Sequence, residues 1–249
     1  MDIAITKRQW NISKIDLKTF SSQKVDEILR SFNLACSGHF YISDYYHKKI
    51  IVDISNSLFL CGHSKEVAEQ EGFGFFNKIL KPEEFAWVQK MNKSAYKTLF
   101  NVPIHQRTRC IVSYDLTFVM ADGKEVVLHH KVTPFRLCKN GNMWLGLCYV
   151  TVSSGKDSNK QAIFYNSESG ERYKLVDGEF ALLDSGAITP EDVQILTLLA
   201  KGLSDKEIGS ALGRMNSSTL KYKKRSLFEK LEVVNSAGAV HKAHLLGII

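Results

Sequence analysis

The basic side chains near the C-terminus have the clearest chemistry in this chain, because their charge complements that of phosphate. Between residues 214 and 230 there are six basic residues and one acidic residue, Glu229, a local balance of +5 in a chain whose formal net charge is +7. The six are Arg214, Lys221, Lys223, Lys224, Arg225 and Lys230. Such a concentration is typical of a surface that meets a nucleic-acid backbone. A charge run alone is more often a solvated face. The secondary structure around these residues is therefore needed to distinguish the two interpretations.

Helical spacing divides the basic segment into a core side and an outer side. At 100° per residue, Leu227 and Leu231 return to the side of Leu220, which predicts that these leucines face a core. The opposite side carries Ser218, Tyr222, Arg225 and Glu229, flanked by Lys221 and Ser226. The segment is therefore predicted to be one amphipathic helix with a polar outer face.

Three side chains of the outer face, Lys221, Tyr222 and Arg225, are candidates for the major groove of DNA. Arginine can form paired hydrogen bonds with guanine, and tyrosine can contact a thymine methyl group or a phosphate. Lys223 and Lys224 project nearer the core side, so they either contact phosphates or extend along the domain surface.

Two capping signals place two short helices before the basic one. Thr189 with Asp192, and Ser204 with Glu207, have the spacing of capping boxes. Gly202 and Gly213 can end these helices, Asn216 or Ser217 can cap the basic helix, and Ser236 can begin a fourth. Two short capped helices followed by a basic helix are typical of a helix-turn-helix.

These residues closely resemble the LuxR-type DNA-binding domain over about a quarter of the chain. The matching segments are Ile188-Thr189-Pro190, Gly202 to Ile208, Thr219-Leu220-Lys221 and Lys230-Leu231. The resemblance implies that Ser218, Thr219, Lys221, Tyr222, Lys224 and Arg225 bind DNA. The sequence departs from the family pattern at Lys223, where histidine is usual, at Asp192, where glutamate is usual, and at Arg214-Met215, where the turn is one residue longer.

The preceding part of the chain has an α+β order of elements. Two strands are predicted at residues 40–46 and 49–54, then short helices, a longer helix from Pro82, and three consecutive strands after Pro103. This order resembles a PAS domain, a sensor module with a five-stranded antiparallel sheet and helices around a pocket. The segment Asn77 to Glu84 and the Asp122-Gly123 turn resemble PAS features.

The faces of the three later strands predict a candidate ligand site. Alternation of apolar residues favours a three-residue loop or bulge at Asp122-Gly123, whereas a two-residue turn at Asn140-Gly141 would place Tyr149 on the same face as Tyr114 and His130. These three polar side chains would then line the pocket, although each could also be a core residue with a local partner.

Four parts are predicted, and two of them are full domains. They are an N-terminal helical flank at 1–37, the PAS-like domain at 38–153, a linker with a small β-hairpin at 154–187, and a four-helix LuxR-type domain at 188–249.

Together these features predict a cytoplasmic, bacterial, homodimeric transcription regulator that binds double-stranded DNA. A small molecule in the PAS-like pocket and RNA polymerase are further candidate partners. The sequence contains no run of about eighteen apolar residues, so no membrane span is predicted. The five cysteines have no metal-ligand spacing, and no enzyme motif is present, so neither a cofactor nor catalysis is expected.

Two alternative functions compete with this interpretation. In one, the protein is an interaction or sensor protein whose DNA-binding tail is degenerate, which the lysine at position 223 favours slightly. In the other, Asp53 is the phospho-acceptor of a receiver domain. The second is disfavoured because Lys7-Arg8 stand where a receiver has an acidic pair, and because three strands follow one another without intervening helices.

Overall fold

An antiparallel β-sheet is the main element of the N-terminal part of the chain. The computed structural model describes residues 22–36, 39–53, 55–153, 158, 160–183, 188–231, 233–245 and 248–249. The chain forms two compact units: an N-terminal unit (Met1–Asn166 with Tyr173–Ala181) and a C-terminal unit (Ser167–Arg172 with Leu182–Ile249). Each has its own buried core.

Eight strands form one sheet in the order β2-β1-β5-β4-β3-β6-β7-β8. They are β1 (His39–Asp44), β2 (Lys49–Val52), β3 (Cys110–Val119), β4 (Glu125–Leu137), β5 (Met143–Val152), β6 (Ala162–Asn166), β7 (Arg172–Val176) and β8 (Glu179–Leu182). The prediction of five strands was therefore wrong, because β6 pairs with β3 and extends the sheet with segments that had been assigned to a linker. The antiparallel pairs β1-β5, β4-β5 and β3-β4 are incompatible with the parallel sheet of a receiver domain.

Helices cover this sheet and complete the core. In the N-terminal unit they are α1 (Ser22–Ala35), α2 (Ser57–Leu60), α3 (Lys65–Glu71), α4 (Phe76–Ile79) and α5 (Pro82–Asn101). Helix α5 begins with proline at its first turn, as predicted, and buries Val88, Met91 and Leu99 on one face. Hydrophobic side chains from the helices and the sheet form one continuous cluster.

The connection between β3 and β4 is the predicted three-residue loop. The Met120 amide donates to the Lys124 carbonyl at 2.7 Å, which leaves a three-residue loop, and Tyr114 pairs with His130 across the two strands. Even-numbered residues of β3 pair with even-numbered residues of β4. The apolar residues of both strands therefore lie on the same face of the sheet.

The predicted register between β4 and β5 was wrong by one residue. Val132 pairs with Cys148, and Tyr149 pairs with Lys131. The turn is longer than the two residues assumed, since the Cys138 amide donates to the Asn142 carbonyl, and the β4-β5 register also shifts near Pro134. A shift of one residue turns every side chain to the opposite face, so Cys148 takes the inward position that had been assigned to Tyr149.

The described part of the C-terminal unit contains four helices: α6 (Pro190–Ala200), α7 (Asp205–Ala211), α8 (Ser217–Leu231) and α9 (Ser236–Leu245). Both predicted capping boxes are present, at Thr189 with Asp192 and at Ser204 with Glu207. Helix α9 contacts α6 and α8, and its Ala239 is fully buried. Helix α9 therefore packs within this unit.

Among the described residues, no helix is both long enough and apolar enough to span a membrane.

Candidate functional site

Helix α8 presents the outer face that its sequence predicts. Leu220, Leu227 and Leu231 are fully buried, whereas Tyr222 is 74% exposed and the side chain of Arg225 is 81% exposed. Tyrosine and arginine are both enriched on surfaces by which proteins bind their partners. This face is the candidate nucleic-acid interface.

The other predicted DNA-binding residues lie at the start of α8. The Asn216 side chain caps the helix by accepting a hydrogen bond from the Thr219 amide at 2.8 Å, and it also accepts the Ser218 hydroxyl at 2.7 Å. Ser218 and Lys221 are exposed and Thr219 is half-buried. This N-terminal turn therefore offers small polar groups and one lysine to a partner.

Three lysines of α8 form ion pairs with α6 and α7. Lys223 pairs with Glu191, Lys224 with Asp205 at 2.6 Å, and Lys230 with Asp192 at 2.7 Å. Only 16% of the Lys224 side chain is exposed, so the DNA-binding role predicted for it would require this pair to rearrange. The ion pairs hold α8 against α6 and α7.

The Asp192 carboxylate belongs to both a capping box and an ion pair. Burial opposes its ionisation, but hydrogen bonds from Lys230 and from the backbone and side chain of Thr189 lower its pKa overall. A carboxylate one methylene shorter than the usual glutamate thus still joins the start of α6 to the end of α8.

Arg225 has a weaker partner. Its guanidinium lies 3.0 Å from Glu229 one helical turn later, with 67% of the Glu229 side chain exposed. An exposed pair of this kind contributes little free energy, so Arg225 can exchange Glu229 for a base or a phosphate at low cost.

The longer turn before α8 has a distinct backbone. Gly213 and Arg214 both have positive φ, 78° and 63°. The next residue, Met215, donates its amide to the Gly209 carbonyl at 2.8 Å, and a Cβ atom at position 209 would lie 2.6 Å from the Met215 carbonyl oxygen. Two consecutive left-handed residues therefore accommodate the extra residue while α7 and α8 remain closely packed.

A second candidate site is a cavity on the inner face of the sheet in the N-terminal unit. Its polar centre is His130, whose Nε2 lies 2.6 Å from the Tyr41 hydroxyl and whose Nδ1 lies 2.6 Å from the Tyr114 hydroxyl. Burial, and secondarily the charge of His129, lower the His130 pKa to about 3, so the imidazole is neutral near pH 7. The cavity volume is about 20 Å³, which is room for about one water molecule.

A neighbouring apolar cavity of about 30 Å³ shares three lining residues with the first. They are Tyr45, Asn92 and Val132. The two cavities are therefore direct neighbours that share part of their walls.

The structure brings together two of the three predicted pocket residues. Tyr114 and His130 line the cavity, whereas Tyr149 lies on the other face, 4.7 Å from the Phe40 ring and 5.8 Å from the Lys131 ammonium. Placing Tyr149 beside the other two was wrong because of the one-residue register error in β5. Sequence reasoning also missed Tyr41 on β1, since nothing local to β1 shows that β1 pairs with β5.

Comparison with known proteins identifies the C-terminal part. Residues 187–243 match the family model of bacterial regulatory proteins, luxR family. The C-terminal unit therefore contains a LuxR-type helix-turn-helix domain, the class of module by which such regulators bind DNA. No curated protein matches the chain.

Two solved structures resemble the whole chain weakly. The Vibrio cholerae VqmA dimer, a LuxR-type receptor solved in the absence of target DNA, is 12% identical over 92% of this chain and 89% of that chain, with a TM-score of 0.35. The phage VqmA-DPO complex is 14% identical over 91% and 90% of the two chains, with a TM-score of 0.34. A similarity of this size does not establish a common fold.

Proposed function

We propose that this protein is a cytoplasmic, sequence-specific transcription regulator that binds double-stranded DNA as a homodimer through α8. Its PAS-like N-terminal unit senses a ligand or a partner and alters the affinity for DNA. Two copies are expected because helix-turn-helix proteins commonly read two half-sites one helical turn apart. RNA polymerase is a further candidate partner.

The outer face of α8 is the observation that carries this proposal. Tyr222 and Arg225 are exposed side by side on a helix whose orientation is fixed by a buried leucine side and by ion pairs to α6 and α7. A firmly held helix with polar and cationic side chains on its outer face is suited to direct reading of the major groove. The LuxR-type match over residues 187–243 supports the same assignment.

Selection of random DNA by the purified full-length protein tests the proposal. Enrichment of a roughly palindromic sequence, with affinity that falls steeply as salt increases, is the expected result. Failure to enrich any sequence and to bind DNA at low salt would refute the proposed function and favour an interaction protein with a degenerate tail.

The cavity around His130 supports the sensing part of the proposal. A neutral imidazole has one donor and one acceptor nitrogen, so one of the hydroxyls of Tyr41 and Tyr114 donates to it and the other accepts from it. The tyrosine that accepts retains its own hydroxyl hydrogen for another acceptor. We infer that Tyr114, His130 and Tyr41 form the polar end of a ligand site that opens when the adjacent side chains move.

The Tyr114→Phe variant tests this site in the intact protein. Thermal shifts would be measured for wild type and variant against a library of small polar heterocycles and metabolites. A compound that stabilises the wild type, stabilises the variant less, and changes DNA affinity would support a sensory pocket. Equal stabilisation of both proteins by every active compound would place the ligand elsewhere.

A further inference from the structure

The charges around α8 are unequally available to DNA. Four of the six basic residues between 214 and 230 are in ion pairs with carboxylates of the same unit. The side chains of Arg214 and Lys221 form no hydrogen bond or ion pair with another residue that the structure describes. Lys221 lies on α8 itself, so of these six basic residues Arg214 is the one that lies outside the helix, in the turn directly before it.

The backbone at Arg214 is unfavourable for an arginine. Its φ of 63° lies in the left-handed region, which the Cβ atom of an L-residue disfavours and which glycine adopts without penalty. The side chain is exposed, so burial in the core does not offset this cost. Stability alone would favour glycine at this position.

The surrounding contacts fix the path of the turn. The Met215 amide is bonded to Gly209, and the Asn216 side chain caps α8. Arg214 is therefore held three residues before Ser217, the first residue of the recognition helix. Because a recognition helix enters the major groove by its N-terminal end, a side chain in the preceding turn is close to the phosphates that border the groove.

We propose that Arg214 is a DNA-backbone anchor: its guanidinium binds a phosphate oxygen at the edge of the groove and positions α8 without reading base sequence. An arginine suits this role because its planar guanidinium can donate two parallel hydrogen bonds to one phosphate. The inference rests on the proposed DNA-binding function and adds to it a residue outside the recognition helix.

The test compares four variants of the full-length chain on one selected DNA sequence and on unrelated DNA. Arg214→Gly and Arg214→Asn remove the charge, and both residues tolerate positive φ. Arg214→Lys keeps the charge. Lys90→Ala removes one positive charge from an exposed position on α5 of the N-terminal unit and is the matched control.

A backbone anchor predicts an equal loss on both DNAs. Both neutral variants should bind about three- to tenfold more weakly on either sequence, and the slope of log affinity against log salt should fall by about 0.9, the value for one phosphate contact. Arg214→Lys should lose less, and Lys90→Ala should bind like the wild type. The melting temperature of Arg214→Gly should equal or exceed that of the wild type, so that weaker binding cannot be attributed to unfolding.

Other outcomes separate failure of this inference from failure of the proposed function. If the wild type binds the selected DNA and both neutral Arg214 variants bind like the wild type, the anchor is overturned and the proposed function stands. If the Arg214 variants lose affinity only on the selected sequence, Arg214 reads bases and the anchor is again overturned. If the wild type binds no DNA, both proposals fail.

Discussion

Arg225 and Lys224 are neighbours in sequence, but their side chains differ in exposure and in the ion pairs they form. The Arg225 side chain is 81% exposed in a weak pair, whereas the Lys224 side chain is 16% exposed and paired with Asp205. Adjacent residues on a helix point about 100° apart, so one reaches the interface and the other faces α7. Substitution of each should therefore have a different consequence.

We expect Arg225→Ala to lower affinity for the selected DNA by about 1–3 kcal/mol and to relax base preference at one position. Lys224→Ala should weaken binding to all sequences alike and should also lower the melting temperature, because Asp205 loses its partner. Binding titrations and thermal melts of both variants provide the measurement. Equal loss on every sequence for Arg225→Ala would show that it contacts only the backbone.

His130 is the polar centre of the cavity, and its burial makes the free energy of unfolding depend on pH. The pKa in the folded state is about 3, below the unfolded value of about 6.5. The unfolded state therefore binds more protons between these values, so the contribution of His130 is fully present above pH 6.5 and is lost as the pH falls towards 3.

We expect urea unfolding of the full chain to show this loss, with a slope of at most about 1.4 kcal/mol per pH unit from His130 alone below pH 6. In His130→Gln, which keeps one donor and one acceptor in the side chain, the free energy of unfolding should vary less between pH 6.5 and 4. Parallel pH profiles for the two proteins would mean that His130 is not neutralised by burial.

At the scale of elements, the contact between α7 and the turn before α8 determines how the recognition helix is held. Gly209 allows the Met215 carbonyl to approach so closely that a Cβ atom would lie 2.6 Å from it. The clash involves backbone, so it cannot be relieved by rotating a side chain. Together with the ion pairs from α6 and α7, this contact orients α8.

Gly209→Ala should therefore destabilise the C-terminal unit by about 1–3 kcal/mol and weaken DNA binding. Gly238→Ala is the matched control, because a Cβ atom there meets nothing closer than 3.4 Å, and alanine in a helix is favoured over glycine by about 0.5–1 kcal/mol. Calorimetric melts should shift in opposite directions. A Gly209→Ala variant as stable as the wild type would contradict the close packing described.

At the scale of the whole molecule, the proposed dimer sets the geometry of the DNA site. Two copies related by two-fold symmetry would present two α8 helices to the same side of the duplex only when the half-sites are separated by about a whole number of helical turns. Adding about five base pairs would turn one half-site to the opposite side of the DNA, and about ten would restore it.

We expect the full-length protein to bind the selected palindrome cooperatively, to lose that cooperativity with about five inserted base pairs, and to recover much of it with about ten. Gel-shift titrations with the three DNAs measure this. Equal affinity for all three, or binding with one chain per site, would refute the dimer.

The local sequence determined the C-terminal unit almost completely. Its capping boxes at Thr189 and Ser204, the end of its first helix near Gly202 and the leucine side of α8 depend on interactions within a few residues, which a single segment encodes. The outward position of Tyr222 and Arg225 followed from the same helical period.

Tertiary structure alone decided the remaining features, because they depend on residues far apart in the chain. The contact between Tyr41 and His130 joins two residues that are 89 positions apart in the chain. Which face of the sheet carries Tyr149 depended on a turn and a bulge that shifted the register by one residue. The extension of the sheet by β6 depended on its pairing with β3. The pairing of Lys224 with Asp205 likewise depended on how α7 packs against α8, which the charge pattern of one helix does not encode.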